Sequence, residues 1–426
     1  MIESIRDAII LIPPKNLEDL QFISRTLNEA GYKCYLVGGS VRDLAIGKVP
    51  YEYDLTTSAK PEDVKKIFRK VVDTGIKHGT VTVIVNGEGY EVTTFRLDIG
   101  YSDGRRPDAI IYGETLSDDL KRRDFTMNAL ALDLLTEEFV DEHNGLEDIQ
   151  NKIIRTIGIP EERFTEDGLR PIRALRFIST LGFSIEEATY RAIYKTRSIT
   201  AKISVERFHD ELNKILKVEK SSLSIRELIK NEIFPLFTGV ALNIQADERL
   251  FDLLDSANTE IPGIKLSILL HIILGENAFD LSISESLLKD LRYSKKNLKD
   301  CIFFLDRWRN LKELHTEEDT RRFLNHFISY TGKEKHIEYV TSFQLTFYGK
   351  NSREESLIKE VIAQNPPLSV KDLQINGNEV VQLLPLLEKR KIGDTLNSCM
   401  DYVLKNPEKN TKESLRDFLL QNYLYI

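Results

Sequence analysis

Apolar residues recur along the first quarter of the chain at two different spacings. In NLEDLQFISRTLNEAG (residues 16–31) they return about every 3.6 positions before a closing glycine, which predicts an amphipathic helix with a glycine C-cap. KCYLVGG (33–39) and YEYDLTT (51–57) are short apolar or β-branched runs that predict strands. PEDVKKIFRKV (61–71) predicts a helix with proline in its first turn. Helices and strands therefore alternate here.

A hairpin follows, and helices dominate after it. TVTVIVN (80–86) and YEVTTFR (90–96) flank the turn sequence GEG, which predicts two paired strands. Beyond about residue 120 only KIIRTI (152–157) still looks extended, whereas RRDFTMNALALDLL (122–135) and most later stretches are predicted to be helical. The pattern predicts an α+β protein, with a mixed β-sheet and helices in an N-terminal head followed by an all-α extension.

The length of the chain predicts more than one domain. Its 426 residues exceed what a single hydrophobic core usually holds, and a hydrophobic fraction of 41% is enough to fold several domains. The longest apolar run, IKLSILLHIIL (264–274), is too short to span a membrane, so no membrane partner is expected. The start, MIESIRDAIILIPPKN, carries acids and no small-residue cleavage pattern, so no secretory signal is predicted.

The spacing of the cysteines and the distribution of charge limit the cellular compartment and the binding partners that are expected. Cys34, Cys301 and Cys399 lie far apart without CxxC spacing, which predicts neither a disulfide framework nor a zinc site and favours a reduced, cytoplasmic setting. The net charge of −8 argues against indiscriminate binding of polyanions. Residues 1–150 carry 18 Lys+Arg against 27 Asp+Glu, whereas residues 151–220 carry 14 against 10. A nucleic-acid partner is therefore expected to meet the second segment.

Two acids one residue apart follow a glycine turn. On a strand, residues i and i+2 point to the same face, so the carboxylates of Glu52 and Asp54 are expected side by side. Their repulsion favours a bound cation, and Mg²⁺ commonly uses one or two carboxylates together with substrate phosphates. Glu52 and Asp54 are therefore the predicted metal ligands. Glu91, in the next strand of the hairpin, is the candidate for a third acid, and all three are predicted to be catalytic.

The glycine turn itself suits a phosphate. VGGSVRD (37–43) places Gly38 and Gly39 between a predicted strand and a predicted helix, where backbone N–H groups can approach an anion. Arg42 adds a charge-assisted donor to the same anion. A divalent metal beside such a cradle supports phosphoryl or nucleotidyl transfer, because the metal lowers the pKa of the attacking hydroxyl and neutralises the leaving pyrophosphate.

The string LVGGSVRDLAIG…YEYDLTTSAKPEDV resembles the signature of class II tRNA nucleotidyltransferases, the CCA-adding enzymes and bacterial poly(A) polymerases of the polymerase-β superfamily. The family usually has Asp-x-Asp where this chain has Glu52-Tyr53-Asp54. Further stretches are similar to family motifs and come in the family's order. Residues 78–108 are similar to the segment that includes the flexible loop, 120–133 to the RRDFT motif and 166–177 to the base-selecting motif. Residues 206–216 are similar to the motif that steadies the base-selecting one, and the similarity returns at 373–380.

The resemblance implies a role for particular residues. Arg123 and Asp124 of the RRDFT motif are expected to meet the sugar and phosphates of the incoming nucleotide, and residues of EDGLRPIRALRF to select its base. In that stretch four charged residues are spaced by three, so they follow a winding stripe on one side of a helix. They are the predicted nucleotide-binding residues Asp167, Arg170, Arg173 and Arg176.

A carboxylate beside a guanidinium can select cytosine and adenine by their hydrogen-bonding pattern. Cytosine and adenine each present an amino donor next to a ring-nitrogen acceptor, so both can pair with Asp167 and Arg170. Uracil and guanine present the reverse order, and an unpaired buried polar group costs ~1–3 kcal/mol, enough for discrimination by about a hundredfold. Arg207 and Glu211 lie at i and i+4 in the next helix and are expected to pair and brace the stripe.

The expected function is template-independent addition of C, C and A to the 3′ end of tRNA from CTP and ATP, with Mg²⁺ as cofactor and release of pyrophosphate. The alternative is an enzyme that adds only A, or a poly(A) polymerase. A CC-only enzyme is disfavoured because the flexible loop looks complete. A non-enzymatic RNA-binding relative is the third candidate. No obligate protein partner is implied. The resemblance implies a catalytic head (1–150), a neck (151–220), a body (221–330) and a tRNA-binding tail (331–426).

Overall fold

The computed structural model of the chain describes residues 5–99, 109–113, 115–239 and 247–423. Part of the predicted flexible loop, residues 100–108, lies outside these ranges. The chain divides into two compact units, Met1–Leu242 with Asp290–Arg292 and Asn243–Lys289 with Tyr293–Ile426. The four-part division into head, neck, body and tail stays a prediction.

A seven-stranded sheet forms the centre of the first unit. Its strand order is β3-β4-β5-β2-β1-β8-β9, while β6 pairs with β7 and β10 with β11 in two small sheets. In the large sheet β2 and β5 run parallel and the other neighbours are antiparallel, which confirms the predicted mixed sheet. The described strands are β1 (Cys34–Val37), β2 (Asp54–Thr57), β3 (Val71–Gly75), β4 (Thr80–Val85), β5 (Glu88–Thr94), β6 (Arg96–Ile99), β7 (Ala109–Tyr112), β8 (Leu130–Asp133), β9 (Glu138–Asp141), β10 (Ile153–Ile154) and β11 (Ser184–Ile185).

Six helices accompany the strands up to residue 151 in the described part of the chain. Proline stands at the start of two of them, where its missing N–H costs no hydrogen bond. Another is opened by a capping box between Thr115 and Asp118. The helices are α1 (Ile5–Ile10), α2 (Pro14–Glu29), α3 (Gly39–Ile46), α4 (Pro61–Ile67), α5 (Leu116–Lys121) and α6 (Gly145–Asn151), and short 3₁₀ turns cover Ile76–His78 and Thr126–Asn128.

The prediction of a helix over residues 122–135 is wrong. This stretch forms the 3₁₀ turn Thr126–Asn128 and then β8, which lies between β1 and β9. Leu130, Ala131 and Leu132 are all buried, so successive residues on both faces of the strand are apolar. A strand covered on both faces lacks the alternation that distinguishes a strand from a buried helix in sequence.

Seven helices follow in the described residues of the first unit, up to residue 239. The longest, α8, begins at Leu169 after Gly168, and a Cβ at Gly168 would lie 2.6 Å from the carbonyl oxygen of Ile199. Helix α8 packs against α11 and α12, which hold it beside the sheet domain (the seven-stranded sheet with helices α1–α6). The helices are α7 (Pro160–Glu166), α8 (Leu169–Leu181), α9 (Glu187–Lys195), α10 (Arg197–Thr200), α11 (Val205–Leu216), α12 (Ser222–Lys230) and α13 (Phe234–Thr238).

A small apolar cluster anchors the glycine turn. Val37, the last residue of β1, packs in a fully buried group with Leu120, Ala129, Ala131 and Ile157. The cluster joins the end of a central strand to helix α5 and to the 3₁₀ turn. Because Val37 directly precedes Gly38, burial in this cluster sets where the turn lies.

The described residues of the second unit form helices and loops. The central helix α15 is buried on nearly every side, and a buried carboxylate, Asp300, accepts hydrogen bonds from Tyr330 and Tyr339 at 2.6 and 2.9 Å. Among the described residues, no helix combines the length and apolar character needed to cross a membrane. The helices are α14 (Glu248–Ser256), α15 (Pro262–Leu274), α16 (Leu281–Asp290), α17 (Lys295–Arg309), α18 (Glu317–Thr331), α19 (His336–Phe343), α20 (Arg353–Ala363), α21 (Gly377–Leu383), α22 (Ile392–Lys405) and α23 (Lys412–Tyr423), with 3₁₀ turns at Gly275–Phe279, Val370–Asp372, Lys389–Lys391 and Pro407–Lys409 and a π turn at Gln344–Tyr348.

Candidate active site

A cavity of about 510 Å³ lies in the first unit between the sheet domain and helix α8. Its wall includes Asp54 and every residue that the sequence predicted to bind the nucleotide: Gly38, Gly39, Arg42, Arg123, Asp124, Asp167, Arg170, Arg173 and Arg176. These residues come from stretches up to 138 positions apart in the chain. The tertiary structure therefore brings the predicted nucleotide-binding residues around one space.

The glycine turn requires glycine at its first position. Gly38 has φ +74° and is the N-cap of α3, a conformation that disfavours any side chain. A Cβ there would also lie 2.8 Å from Nη1 of Arg123. The guanidinium of Arg42 covers the next residue, since a Cβ at Gly39 would lie 3.5 Å from Nη2 of Arg42. Two arginines thus lie against the turn that the sequence assigned to a phosphate.

A buried aspartate fixes the paired arginines of the RRDFT stretch. Asp119, with no exposed surface, accepts hydrogen bonds from Arg122 at 3.0 and 2.6 Å and from Arg123 Nη2 at 2.8 Å. Burial alone would raise the pKa of Asp119, but the positive charges of Arg123 and Arg122 lower it below its usual value. Asp119 therefore stays ionised and holds Arg123 beside the glycine turn.

The predicted catalytic acids meet at one edge of the sheet. Strand β2 begins at Asp54, so Glu52 precedes it and is not on the strand as predicted, and Glu91 is the direct partner of Asp54 in the parallel pairing of β2 and β5. All three line a second cavity of about 420 Å³ that shares Asp54 with the first. Although Asp54 is exposed, surrounding protein atoms and repulsion from Glu91 and Glu52 raise its pKa to about 6, against the attraction of Arg123.

This carboxylate pair suits a hard divalent cation. Repulsion between the acids disfavours ionised Asp54, and a cation would remove that repulsion. Among the described residues, no group of three or more His, Cys, Asp or Glu side chains is arranged to hold a metal ion. A metal held by Glu52 and Asp54 would therefore need other ligands, and Mg²⁺ takes these from water and substrate phosphates.

Asp124 is tied to the protein on both of its oxygens. Oδ1 accepts from the Phe125 N–H and from Asn128 Nδ2, both at 2.9 Å, and Oδ2 accepts from Arg173 Nε at 2.7 Å. Burial raises the pKa of this carboxyl, but the charge of Arg173 and the hydrogen bonds from Asn128 and Arg173 lower it to about 2. Asp124 therefore lines the cavity as an ionised group that links the stretch 124–128 to Arg173 of helix α8.

Three arginines of the cavity wall lie close to one aromatic ring. The guanidinium groups of Arg42, Arg173 and Arg176 lie 5.2, 5.7 and 4.1 Å from the centre of the Phe177 ring. Phe177 is 2% exposed and meets Phe125 edge to face at 5.8 Å. Such cation–π contacts attract the guanidinium groups and limit their directions. The ring therefore orients cations that belong to both α3 and α8.

The base-selecting residues have partners that sequence spacing did not predict. Arg207 donates to both oxygens of Asp167 at 2.9 and 2.8 Å, so the expected pair between Arg207 and Glu211 is wrong. Glu211 instead accepts from Arg176 at 2.5 Å and from Lys214 at 2.9 Å. The pairs of Arg207 with Asp167 and of Arg176 with Glu211 join residues that are 40 and 35 positions apart, whereas Glu211 and Lys214 lie at i, i+3 on α11.

Both terminal nitrogens of Arg170, Nη1 and Nη2, donate hydrogen bonds to protein oxygens. It pairs with Glu166 and donates to the carbonyl oxygens of Arg163 at 2.9 Å and Arg122 at 3.0 Å. The side chain is 9% exposed and still lines the cavity. Arg170 is therefore fixed before any ligand binds, and so is Asp167 through its bidentate pair with Arg207.

Several residues of the cavity wall were not predicted as site residues. Arg122 and Asn128 lie inside the RRDFT stretch and Phe177 lies inside the base-selecting stretch, so the quoted motifs contained them without indicating their roles. The additional lining residues are Arg96, Arg122, Asn128, Leu169, Phe177 and Arg207. Among the residues that the structure describes, eight arginines and three aspartates line the cavity, an excess of positive charge that suits a polyphosphate.

Two stretches of the chain match known protein families. Residues 34–155 match the family described as "Poly A polymerase head domain". Residues 182–238 match the family described as "Probable RNA and SrmB- binding site of polymerase A". The fold and the cavity thus define a nucleotidyltransferase of the poly(A) polymerase class.

Similarity to curated proteins extends over nearly the whole chain. The CCA-adding enzyme of Lactiplantibacillus plantarum is 33% identical over 405 residues, which make up 95% of this chain and 96% of that enzyme. The CCA-adding enzyme of Lactobacillus helveticus is 53% identical over 193 residues, a stretch that spans 45% of this chain and about half, 48%, of that enzyme. The chain belongs to the family of CCA-adding enzymes.

Solved structures share the fold. The Bacillus stearothermophilus CCA-adding enzyme, solved in complex with CTP, superposes with a TM-score of 0.77 at 29% identity, covering 96% of this chain and 98% of that one. The Thermotoga maritima CCA-adding enzyme, solved with tRNA, has a TM-score of 0.66 at 17% identity, covering 98% of each chain. The second likeness concerns the fold alone.

Proposed function

We propose that this protein extends the 3′ end of tRNA with C, C and A from CTP and ATP, releasing pyrophosphate, without a nucleic-acid template. The observation that carries this function is the convergence of all the predicted nucleotide-binding residues and Asp54 on one cavity. That cavity lies in a chain similar to CCA-adding enzymes along 95% of its length. The substrates are therefore tRNA, CTP and ATP.

The triphosphate lies at the glycine turn in this proposal. The backbone N–H of Gly39 and the guanidinium groups of Arg42 and Arg123 supply donors to its oxygens. The N–H of Gly38 donates to the carbonyl oxygen of Leu130 at 3.2 Å, so Gly38 contributes a close approach of the backbone rather than a donor. Asp119 keeps Arg123 in place, so little rearrangement is needed when the phosphates arrive. This preorganisation supports tight positioning of the α-phosphate for attack.

Membership of this nucleotidyltransferase family implies dependence on a divalent metal, and we assign Mg²⁺ to Glu52 and Asp54. When bound, the metal would lower the pKa of the attacking 3′ hydroxyl and neutralise charge on the leaving pyrophosphate. Asp54 lies on the wall of both cavities, so it stands between the nucleotide and the space next to Glu52 and Glu91. We assign Glu91 the role of a third catalytic acid at this edge.

Asp167 and Arg170 read the base in this proposal. Among the described residues, Asp167 Oδ1 accepts from Arg207 and the Leu169 N–H, while Oδ2 accepts from Arg207 alone, which leaves an acceptor site on Oδ2 for an amino group. The contacts of Arg170 use its Nη1 hydrogens and one on Nη2, so Nε–H can still face a ring nitrogen. Cytosine and adenine both match this donor and acceptor pair.

We assign tRNA binding to the helical extension, with the neck, body and tail as residues 151–220, 221–330 and 331–426. The positive balance of the neck supports contact with phosphates, and shape and backbone contacts are the usual means of holding double-stranded RNA. We place the reaction in the cytoplasm, which the three free, buried cysteines support. No obligate protein partner enters this proposal.

Three tRNA transcripts test the function directly. Purified protein with Mg²⁺ receives transcripts that end at the discriminator base, at C or at CC, each with CTP alone, ATP alone or both. The discriminator transcript should grow by two nucleotides with CTP alone and by three with both. Each product length is resolved on a denaturing gel, and pyrophosphate release is measured in parallel.

The same assay separates the alternatives. Addition of a single A to the CC-ended transcript alone would identify an A-adding enzyme. Long A tails would identify a poly(A) polymerase. Tight tRNA binding with no pyrophosphate release would identify a non-enzymatic RNA-binding protein and contradict the proposal.

A further inference from the structure

A chain of four side chains joins the phosphate end of the cavity to the base-reading helix. Arg42 Nη1 donates to Asn128 Oδ1 at 2.7 Å, and Asn128 Nδ2 donates to Asp124 Oδ1 at 2.9 Å. Arg173 Nε completes the chain by donating to Asp124 Oδ2 at 2.7 Å. Arg42 lies on α3 beside the glycine turn, and Arg173 lies about one turn along α8 from Arg170.

Asn128 has the chemistry that this position needs. It must accept a hydrogen bond from a cation on one side and donate one to a carboxylate on the other, which a primary amide does. An aspartate could accept from Arg42 but would repel Asp124, and an alanine would leave both partners without their hydrogen bond. Asn128 is 5% exposed, so water cannot easily replace the lost contacts.

A second contact joins the same two helices. Arg42 of α3 lies over the ring of Phe177 of α8, on which Arg173 and Arg176 also lie. Helix α8 is therefore tied to α3 by a polar chain and by an aromatic ring. Both ties act between the place proposed for the triphosphate and the place proposed for the base.

We infer that Asn128 is a positioning residue for base selection: it holds α8 at a fixed distance from Arg42, so that a base meets Asp167 and Arg170 only in the matching geometry. This inference rests on the proposed function. A mismatched base is rejected because its polar groups stay unpaired, and this penalty applies only if the helix cannot shift to relieve it. Loosening the chain at Asn128 should therefore weaken discrimination as well as turnover.

The test compares N128D and N128A with a matched control, N86D. Asn86 Nδ2 donates to Asp19 Oδ1 at 2.6 Å, and Asp19 is 1% exposed, so N86D sets two carboxylates against each other as N128D does. Asn86 lies in the same sheet domain but does not line the nucleotide cavity. Its φ of +49° also suits aspartate. N128A serves if like-charge repulsion unfolds N128D.

The readout is kcat/KM for CTP and for UTP on a tRNA ending at the discriminator base, together with Tm. N128D and N128A should lower kcat/KM for CTP by about tenfold or more and reduce the preference for CTP over UTP by about fivefold. N86D should lower Tm while the preference stays at the wild-type value. An unchanged preference in the Asn128 variants, or an equal loss in N86D, would overturn the inference. Failure of the wild-type protein to extend tRNA would instead overturn the proposed function.

Discussion

The guanidinium of Arg123 lies against the backbone of Gly38, and a Cβ at residue 38 would approach its Nη1 to 2.8 Å. Asp119 holds the other terminal nitrogen of Arg123 at 2.8 Å. The arginine is thus confined between a buried carboxylate and a residue without a side chain. This confinement places a fixed positive charge at the turn proposed to receive the triphosphate.

Replacing Gly38 by alanine should impair catalysis more than stability. The added methyl group must displace Arg123, and the combination of φ +74° and ψ −133° lies outside the left-handed helical region, so any L-residue is strained there by roughly 1–3 kcal/mol. We expect kcat/KM for CTP and ATP to fall by about tenfold or more in G38A. Steady-state kinetics on the three tRNA transcripts measure this loss.

The matched control is G47A, at the other end of the same helix. Gly47 has φ +88° and no neighbouring atom within 4 Å of its Cβ position, so the substitution adds backbone strain without a steric contact. Gly47 lies in the left-handed helical region, with ψ +26°, which L-residues adopt more readily than the conformation of Gly38. We therefore expect G47A to lower Tm by no more than G38A does and to keep wild-type kcat/KM. Equal losses of activity in both variants would show that strain in α3, rather than displacement of Arg123, limits the reaction.

Removing the charge of Asp54 should abolish nucleotide addition. D54N keeps the size of the side chain but takes away a proposed ligand of the metal, and we expect kcat to fall by ~10³-fold or more. Because the substitution also relieves repulsion from Glu91 and Glu52, Tm without metal should not fall. Turnover near the wild-type rate in D54N would exclude Asp54 as a metal ligand.

Weakening the bidentate pair of Arg207 and Asp167 should reduce base discrimination. Lysine cannot donate to both carboxylate oxygens in the planar geometry of arginine, so R207K frees Asp167 to rotate. We expect kcat/KM for CTP to fall by about tenfold and misincorporation of UTP to rise. R191K, which alters an exposed pair with Glu187 on α9, is the control and should leave both values unchanged.

The buried carboxylate of Asp124 should make stability depend on acid pH. Its pKa in the folded protein is about 2, below the ordinary value of 3.8, so the ionised form stabilises the fold at pH above 3.8 and this contribution is lost as pH falls toward 2. We expect D124N to lower the free energy of unfolding of the first unit by ~2 kcal/mol at pH 7. The difference should shrink by about half at pH 3.

Denaturant unfolding of wild type and D124N at pH 7, 5 and 3 measures this difference. D210N removes an exposed carboxylate from α11 and is the control, since no buried ion pair is lost with it. A difference between wild type and D124N that stays constant from pH 7 to pH 3 would contradict a lowered pKa of Asp124.

Local patterns predicted much of the first unit because they depend on neighbours in sequence. The run before Gly38, the hairpin of β4 and β5 and the helix that carries Arg170 all follow from apolar spacing and from glycine or proline at their ends. Strand β8 escaped prediction because it is buried on both faces and lacks a period of two. Burial on both faces is decided by which strands and helices lie beside it.

The sequence by itself determined the local features from which the site is proposed: a glycine turn followed by Arg42, two acids one residue apart, and charged residues spaced by three on a helix. Only the tertiary structure decided their partners. Arg207 binds Asp167 across 40 positions instead of Glu211, and Asn128 links Asp124 to Arg42. These contacts depend on how α8 and α11 are placed relative to the sheet domain. The spacing of residues along the chain does not determine which distant segments come into contact.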